Sequence, residues 1–397
     1  MIRRDTLAAP QRRALDLIKE VGAEKHLRPY LVGGPVRDLL LGRSIIDLDF
    51  TLEEGSSALA RGVAKRINGR VRSHPQFMTY KVTAAEYPEI DIATARSEKY
   101  RQPGALPSVS PGTLNDDLLR RDFSINAMAF DVLSGELHDP TGGQRNLEKK
   151  IVRVLHNGSF TDDPTRIYRA IRLAARLGFA IDADTEELMQ NAIRAGALST
   201  VSKERLWREL FLAFEEESAA QVIAALNNAG ALDVLFGRRE IDPARLEGAQ
   251  QAAKANPALD RQVLYTSAIL YGNASPVDLE GSGFSQRRAR LLMQIANEIP
   301  RYTDALNEAS SDRQRFRILR HASPELLAML PADQVAKFRE YQNFRLPLRG
   351  NDLEVPSGPH IAKALERTRE AVFMGEINPE QARSFAREMA IKYLEKE

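Results

Sequence analysis

The sequence predicts an α/β domain with a mixed sheet, followed by a long all-helical region. The first observation is a change of hydrophobic period near residue 155. Before it, short β-branched runs, "YLVGG", "IIDLDFTL", "FMTYKVTAA", "EIDIATA" and "KIVRVL", alternate with pieces of helical spacing. The second is the pattern beyond that point: from "DDPTRIYRAIRLAARLGF" onward apolar residues recur at three and four with no convincing strand, and "LFGRREIDP", "GNASPVD", "HASPEL" and "LPLRGNDLEVPSGP" mark turns between helices. The third is size, since 397 residues of 43% hydrophobic composition fill two or three domains at roughly 150 residues each.

Composition narrows the class. No apolar run approaches the roughly 18 residues a membrane helix needs, and "MIRRDTLAAPQRRALDLIKE" is an amphipathic helical pattern without a signal-peptide core, so a cytoplasmic protein with no membrane partner is expected. The absence of cysteine excludes disulfides, thiolate metal sites and thiol nucleophiles. A net charge of +2 does not by itself imply a nucleic-acid partner. The six histidines are scattered, and His138 with Asp139 sits in the turn "GELHDPTGG" as a structural pair. No serine, threonine or lysine has a nearby base that would make it a nucleophile.

Chemistry concentrates in "GGPVRDLLLGRSIIDLDF". Gly33 and Gly34 follow the strand "YLV" and precede a short helix with Pro35 in its first turn. Glycines at such a turn let backbone N–H groups approach a phosphate, and the helix end adds positive potential. In the next strand Ile46, Leu48 and Phe50 share one face, while Ile45, Asp47, Asp49 and Thr51 share the other. Two carboxylates in adjacent rows repel unless a cation lies between them, so Asp47 and Asp49 are expected metal ligands; the alternative is a tight turn and two solvated aspartates on an edge strand. In "YPEIDIATAR", Asp91 is placed either as a third carboxylate beside them or as a surface aspartate. Arg37 either offers a fork to triphosphate oxygens or pairs with Asp38.

Gly-Gly-x-Val-Arg-Asp and Asp-x-Asp, then "RRDFSINAMAF", "DDPTRIYRAIRLAARLGF" and "SKERLWREL", resemble in content and order the class II tRNA nucleotidyltransferase and bacterial poly(A) polymerase family. The likeness covers the first 215 or so residues; beyond them only "LPLRGNDL" and "SGPHIAKAL" are similar to its tail segment. The resemblance implies a polymerase-β-like nucleotidyltransferase head (1–155), a helical neck that selects the base (156–235), and a helical body and tail that bind tRNA (236–397). It implies template-independent addition or repair of the tRNA 3′-terminal CCA from CTP and ATP, with release of pyrophosphate and a two-metal Mg²⁺ site. Adding only CC, only A, or poly(A) is the narrower alternative, and a non-catalytic RNA-binding protein on the same scaffold is another; intact Asp47 and Asp49 count against the last. The partners expected are the tRNA 3′ end, CTP and ATP, with no protein partner implied.

Further roles come with the resemblance. Arg120, Arg121, Asp122 and Asn126 would contact the sugar and phosphates of the nucleotide; taken alone they are a charged helix start. Cytosine and adenine both present an amino donor beside a ring-nitrogen acceptor, so one acceptor and one donor select the two together. Asp163 and Arg166, three apart on one helix face, are those two groups or else a plain intrahelical ion pair behind Pro164. Arg166, Arg169, Arg172 and Arg176 form a stripe spanning about 120°, with Arg169 at the nucleotide and Arg172 and Arg176 toward RNA, or else a solvated face. Arg287, Arg288 and Arg290 open the arginine-rich stretch from Gly283 to His321, an expected surface for tRNA phosphates. The chain departs from the family at Asp162, where Glu is usual, and at Met78, where Gly is usual. The loop "SEKYRQPGALPSVSPGTLNDD", which the family uses to govern progress from C to A, is present.

Overall fold

The computed structural model describes residues 7–45 and 47–395. Ile46, assigned above to the apolar strand face, and the first six residues of the N-terminal helical pattern lie outside these. The chain divides into two compact units, Met1–Gln251 with Ser275–Arg290, and Ala252–Ala274 with Leu291–Glu397.

The first unit is built on a seven-stranded mixed sheet. Its strands are β1 (Tyr30–Val32), β2 (Leu48–Leu52), β3 (Arg70–His74), β4 (Thr79–Ala84) and β5 (Tyr87–Thr94), with β8 (Ala129–Asp131) and β9 (Leu137–His138) after a separate hairpin of β6 (Arg96–Lys99) and β7 (Ser108–Pro111). The order across the sheet is β3-β4-β5-β2-β1-β8-β9. Only the central β2–β5 pair is parallel. Leu48, Phe50 and Leu52 are buried, as the two-residue period requires, and Thr51 on the opposite face is buried too, so that face is not wholly charged. Helix α1 (Ala9–Glu24) buries Ala14, Leu15, Ile18 and Val21 at three- and four-residue spacing and packs on β5 and on α3 (Ser56–Arg66), which comes after α2 (Gly34–Leu40).

Past the sheet come α4 (Leu114–Leu119), α5 (Gly143–Glu148), the single turn α6 (Ser159–Asp162), α7 (Thr165–Leu177), α8 (Ala183–Arg194) and α9 (Lys203–Phe214). The expectation of no strand beyond residue 155 is corrected here. "KIVRVL" supplies only β10 (Ile151–Val152), which pairs in parallel with β11 (Ala180–Ile181) and stays outside the seven-stranded sheet. Two residues are too few to show a period. The chain reaches β11 because Gly178, at φ +69°, ends α7 in the left-handed conformation and turns Phe179 back onto the Ala174 carbonyl.

The second unit is helical throughout its described residues. One of its cores gathers Phe316, Phe338, Tyr341 and Phe373 with ring centroids 5.0–6.1 Å apart. Another packs Leu353 against Ala364, Ala386 and Ala390, small residues that let the helices Pro359–Phe373 and Ala382–Leu394 approach closely.

Candidate active site

The site lies where β1 ends and β2 begins, beside the middle of β5. Asp49 and Asp91 are register partners on the two parallel strands, so the pleat sets them on one face. Asp47 stands just ahead of β2 and is exposed. Burial, then the charges of Asp91 and Asp47, push the Asp49 carboxyl up to about 6 against the opposing pull of Arg121 and Lys81. Asp91 is less committed to the pair, because Lys81 bonds it at 3.1 Å and also holds Glu89. Among the described residues no three of His, Cys, Asp and Glu converge as a closed metal cage. A partly buried aspartate whose ionisation its acidic neighbours oppose nevertheless fits a hard divalent cation. Mg²⁺ is commonly held by one or two carboxylates, with substrate phosphate and water completing its shell.

Around these carboxylates the "RRDFSINAM" segment folds as a hub. Asp122 is buried and accepts from the Phe123 amide (2.8 Å), Asn126 Nδ2 (3.0 Å) and Arg169 through Nε and Nη2 (3.0 and 2.5 Å). Burial opposes its charge, but Arg169 and the Asn126 bond win and hold its pKa at about 2. Asn126 in turn accepts from Arg37 Nη1 at 2.6 Å, while Arg37 forks onto both oxygens of Asp38 at 2.9 Å. Of the two readings of Arg37, its pairing with Asp38 is the one seen. Arg120 is similarly engaged, by Asp117 and Glu98, and Arg121 bonds Asp117 at 2.9 Å.

The glycines keep their place. Gly33 has φ +75°, a left-handed conformation that favours glycine, and a Cβ there would lie 2.7 Å from Arg121 Nη1 and push that guanidinium aside. Its N–H is directed to the Met128 carbonyl at 3.4 Å, which leaves Gly34 as the amide at the helix start.

Two cavities meet at this hub and share Gly34, Asp49, Asp122, Asn126 and Arg169. The smaller, about 340 Å³, adds Gly33, Glu98, Tyr100, Arg120, Arg121, Asp163 and Arg166. The larger, about 440 Å³, adds Arg37, Asp47, Arg172 and Arg176 among others. The structure thus brings Asp47, Asp49 and every residue assigned to the nucleotide onto these walls. Asp91 lines neither cavity, and Arg287, Arg288 and Arg290 lie apart from both, at the start of the helix Gln286–Glu308.

The Asp163–Arg166 geometry differs from both readings of the sequence. Asp163 is not helical (φ −133°, ψ 91°) but sits between α6 and α7, so the two do not share a helix face by periodicity. They form no ion pair with each other: Asp163 pairs with Arg205 at 2.8 Å, while Arg166, buried, donates to Ser159 Oγ (2.7 Å) and the Arg120 carbonyl (2.9 Å). Both face the smaller cavity all the same. The arginine stripe is likewise no bare basic face. Arg166 is buried, Arg169 is bound to Asp122 though partly open to solvent, Arg172 pairs with Glu209 and Glu216, and Arg176 is exposed. Buried Nε–H groups of Arg121 and Arg172 have no protein partner. Tyr100, Glu98, Arg205 and Glu209 were missed by sequence reasoning; the one available signal was the four-residue spacing of Arg205 and Glu209 within "SKERLWREL", which puts them on one face of α9.

Outside this unit the arginine-rich stretch is partly neutralised. Arg313 pairs with Glu370 and Glu376, Arg315 with Asp312, and Arg320 with Glu366, acids that come largely from the distant helix Pro359–Phe373 and its end. Arg287, Arg288 and Arg290 fall within the first unit, where Arg287 and Arg290 are exposed and Arg288 lies over the Phe284 ring.

Strand-borne carboxylates beside a glycine turn and an arginine-lined double cavity define a nucleotidyltransferase head. Comparison with known proteins agrees: residues 29–153 match the poly A polymerase head domain, and residues 178–244 match the probable RNA and SrmB-binding site of polymerase A. In its head and in the segment that follows, the chain resembles the tRNA nucleotidyltransferase and poly(A) polymerase family. It is 33% identical to an A-adding tRNA nucleotidyltransferase of Geobacter sulfurreducens over 390 residues, 90% of this chain and 44% of that protein. It is similar to the solved structure of a CCA-adding enzyme with CTP (TM-score 0.78, 27% identity, 98% of this chain and 97% of that one). It is also similar to the Thermotoga maritima CCA-adding enzyme complexed with tRNA (TM-score 0.77, 26% identity, 97% and 96%). The chain spans 24% to 54% of the length of the first curated relatives it matches.

Proposed function

We propose that the chain adds or repairs the 3′-terminal CCA of tRNA without a nucleic-acid template, using CTP and ATP and releasing pyrophosphate. The observation that carries this is the smaller cavity, where Asp163 and Arg166 stand on the same wall system as Asp49. In this reading the base enters against Asp163, which accepts from the exocyclic amino group, and Arg166, which donates to the ring nitrogen. UTP and GTP would present a carbonyl to a carboxylate and an N–H to a guanidinium, and both contacts repel.

Arg120, Arg121, Asn126 and Arg169 surround the space left for sugar and phosphates, with Gly33 and Gly34 admitting the backbone approach. Asp122 orients two of them, Arg169 and Asn126. Asp47 and Asp49 are the residues that would hold divalent cations, with Asp91 behind them. Bound Mg²⁺ at such carboxylates supplies charge stabilisation to both the attacking and leaving oxygens of an in-line displacement. The larger cavity, on the other side of Asp49, is then where the primer 3′-hydroxyl would arrive, between Arg172 and Arg176.

The division of labour we infer is catalysis in residues 1–155, base selection in 156–235 and tRNA binding in 236–397. A cytoplasmic setting accompanies it; among the described residues no helix is long and apolar enough to cross a membrane. A-only addition is the second reading, supported by the A-adding name of the Geobacter relative that matches 90% of the chain. The deciding experiment offers tRNAs ending before the first C, after CC and after CCA to the protein with each labelled NTP, with Mg²⁺ and with chelator. Full CCA synthesis predicts CTP uptake by the first substrate, ATP uptake by the second, none by the third, and no reaction in chelator. ATP uptake by the second substrate alone would select the A-adding reading.

A further inference from the structure

Arg205 joins two parts of the molecule that the sequence sets far apart. Its Nη2 donates to Asp163 Oδ1 and its Nη1 to the carbonyl of Gly104, each at 2.8 Å. The Asp163 oxygen is fully engaged, because it also accepts from the Thr165 amide (3.2 Å) and hydroxyl (2.7 Å). Oδ2 accepts from no donor among the described residues. On its other side Gly104 sits in the loop 100–107 between β6 and β7, donating its N–H to the Asp162 carbonyl at 3.3 Å. It has φ +71°, and a Cβ would lie 2.2 Å from Thr200 Oγ1 and 2.7 Å from the Thr200 carbonyl oxygen. Tyr100, at the root of this loop, lines the same cavity as Asp163 and Arg166.

A carboxylate held through one oxygen by an amide, a hydroxyl and a guanidinium cannot turn, so its second oxygen keeps one direction. The guanidinium is suited to the task because its two terminal nitrogens reach two acceptors in a fixed plane, whereas a lysine ammonium is a single point charge.

We propose that Arg205 is a positioning residue for base selection: it fixes which oxygen of Asp163 meets the incoming base and fastens the 100–107 loop, through Gly104, to that same carboxylate. The inference rests on the reading of Asp163 as a base-selecting group and deepens it. The loop and the carboxylate then keep one relative geometry, and loosening either end relaxes selection without touching the reacting atoms.

The test compares kcat/KM for CTP, ATP, UTP and GTP in Arg205→Ala, Arg205→Lys, Gly104→Ala and Asp163→Ala, with tRNA affinity and thermal midpoint measured alongside. Arg205→Ala is expected to lower the preference for CTP and ATP about fivefold or more, the low end of what one base-reading group contributes, with tRNA affinity within about twofold. Gly104→Ala, which leaves both charged groups in place, is expected to shift the preference in the same direction, and Arg205→Lys to fall between. If Arg205→Ala lowers all four rates equally and keeps the preference while Asp163→Ala loses it, the positioning role is overturned and base reading by Asp163 stands. If Asp163→Ala keeps the preference, both fall. An unchanged preference in Gly104→Ala overturns the fastening of the loop. Should Arg205→Ala fail to fold, a wild-type preference in Arg205→Lys overturns the proposal, since one ammonium nitrogen lacks the planar fork that sets two acceptors in one geometry.

Discussion

Asp122 is the residue on which the site's order depends, because four donors from three different groups converge on one buried carboxylate. Its folded pKa of about 2 lies below the roughly 3.9 of an unfolded aspartate. A depressed pKa gives stability that is full above the unfolded value and is lost as pH falls from about 4 toward 2. The linkage amounts to at most about 2 kcal/mol, since Arg169 remains 41% exposed and is screened by water. Urea unfolding of wild type and Asp122→Asn should therefore differ above about pH 4 and converge in more acid solution. Parallel curves across that range would show that the charge of Asp122 contributes nothing.

At the scale of elements, Met78 is a strained joint. It holds φ +51° between the short 3₁₀ turn Pro75–Phe77 and β4, at the position where the sequence departs from the family's glycine. The left-handed conformation costs an ordinary residue roughly 1–2 kcal/mol, and glycine's greater unfolded freedom returns about 0.5–1 of that. Met78→Gly is thus expected to stabilise the protein by up to about 1 kcal/mol, read as a higher unfolding midpoint; a lower midpoint would mean that the methionine's packing outweighs the strain. The same stretch shows what the sequence made legible. The alternation in β2 announced Asp49 because Leu48, Phe50 and Leu52 are all buried. β3 announced nothing: every residue from Arg70 to His74 is exposed, so no period exists to be seen. The Asp163–Arg205 pair was invisible for another reason, since 42 residues separate its members and neither is in the other's helix. Local spacing proposed Arg166 as the partner, but the helix begins only at Thr165.

For the whole molecule, the question is which arginines face the phosphates of a tRNA. Counting charge along the chain favoured the entire stretch from Gly283 to His321; folding brings Glu366, Glu370 and Glu376 onto part of it. Removing the charges of Arg287, Arg288 and Arg290 should lower the dependence of log binding constant on log salt by up to about one unit for each phosphate left unneutralised. Arg313→Gln, whose parent arginine already pairs with two glutamates, should leave that slope nearly unchanged. Equal effects from both sets in a salt titration would mean that the glutamate pairs open to admit RNA.

The most direct test of the active-site assignment is nucleotide incorporation by Asp49→Ala, measured with tRNA affinity on the same preparation. Asp49 lines both cavities, and burial and its acidic neighbours push its carboxyl up to about 6. The site as described predicts incorporation below about one thousandth of wild type, the scale on which removing a group that acts in the chemical step is felt, with tRNA binding within a few fold of normal. Near-normal incorporation by this variant would contradict the placement of the active site at the start of β2.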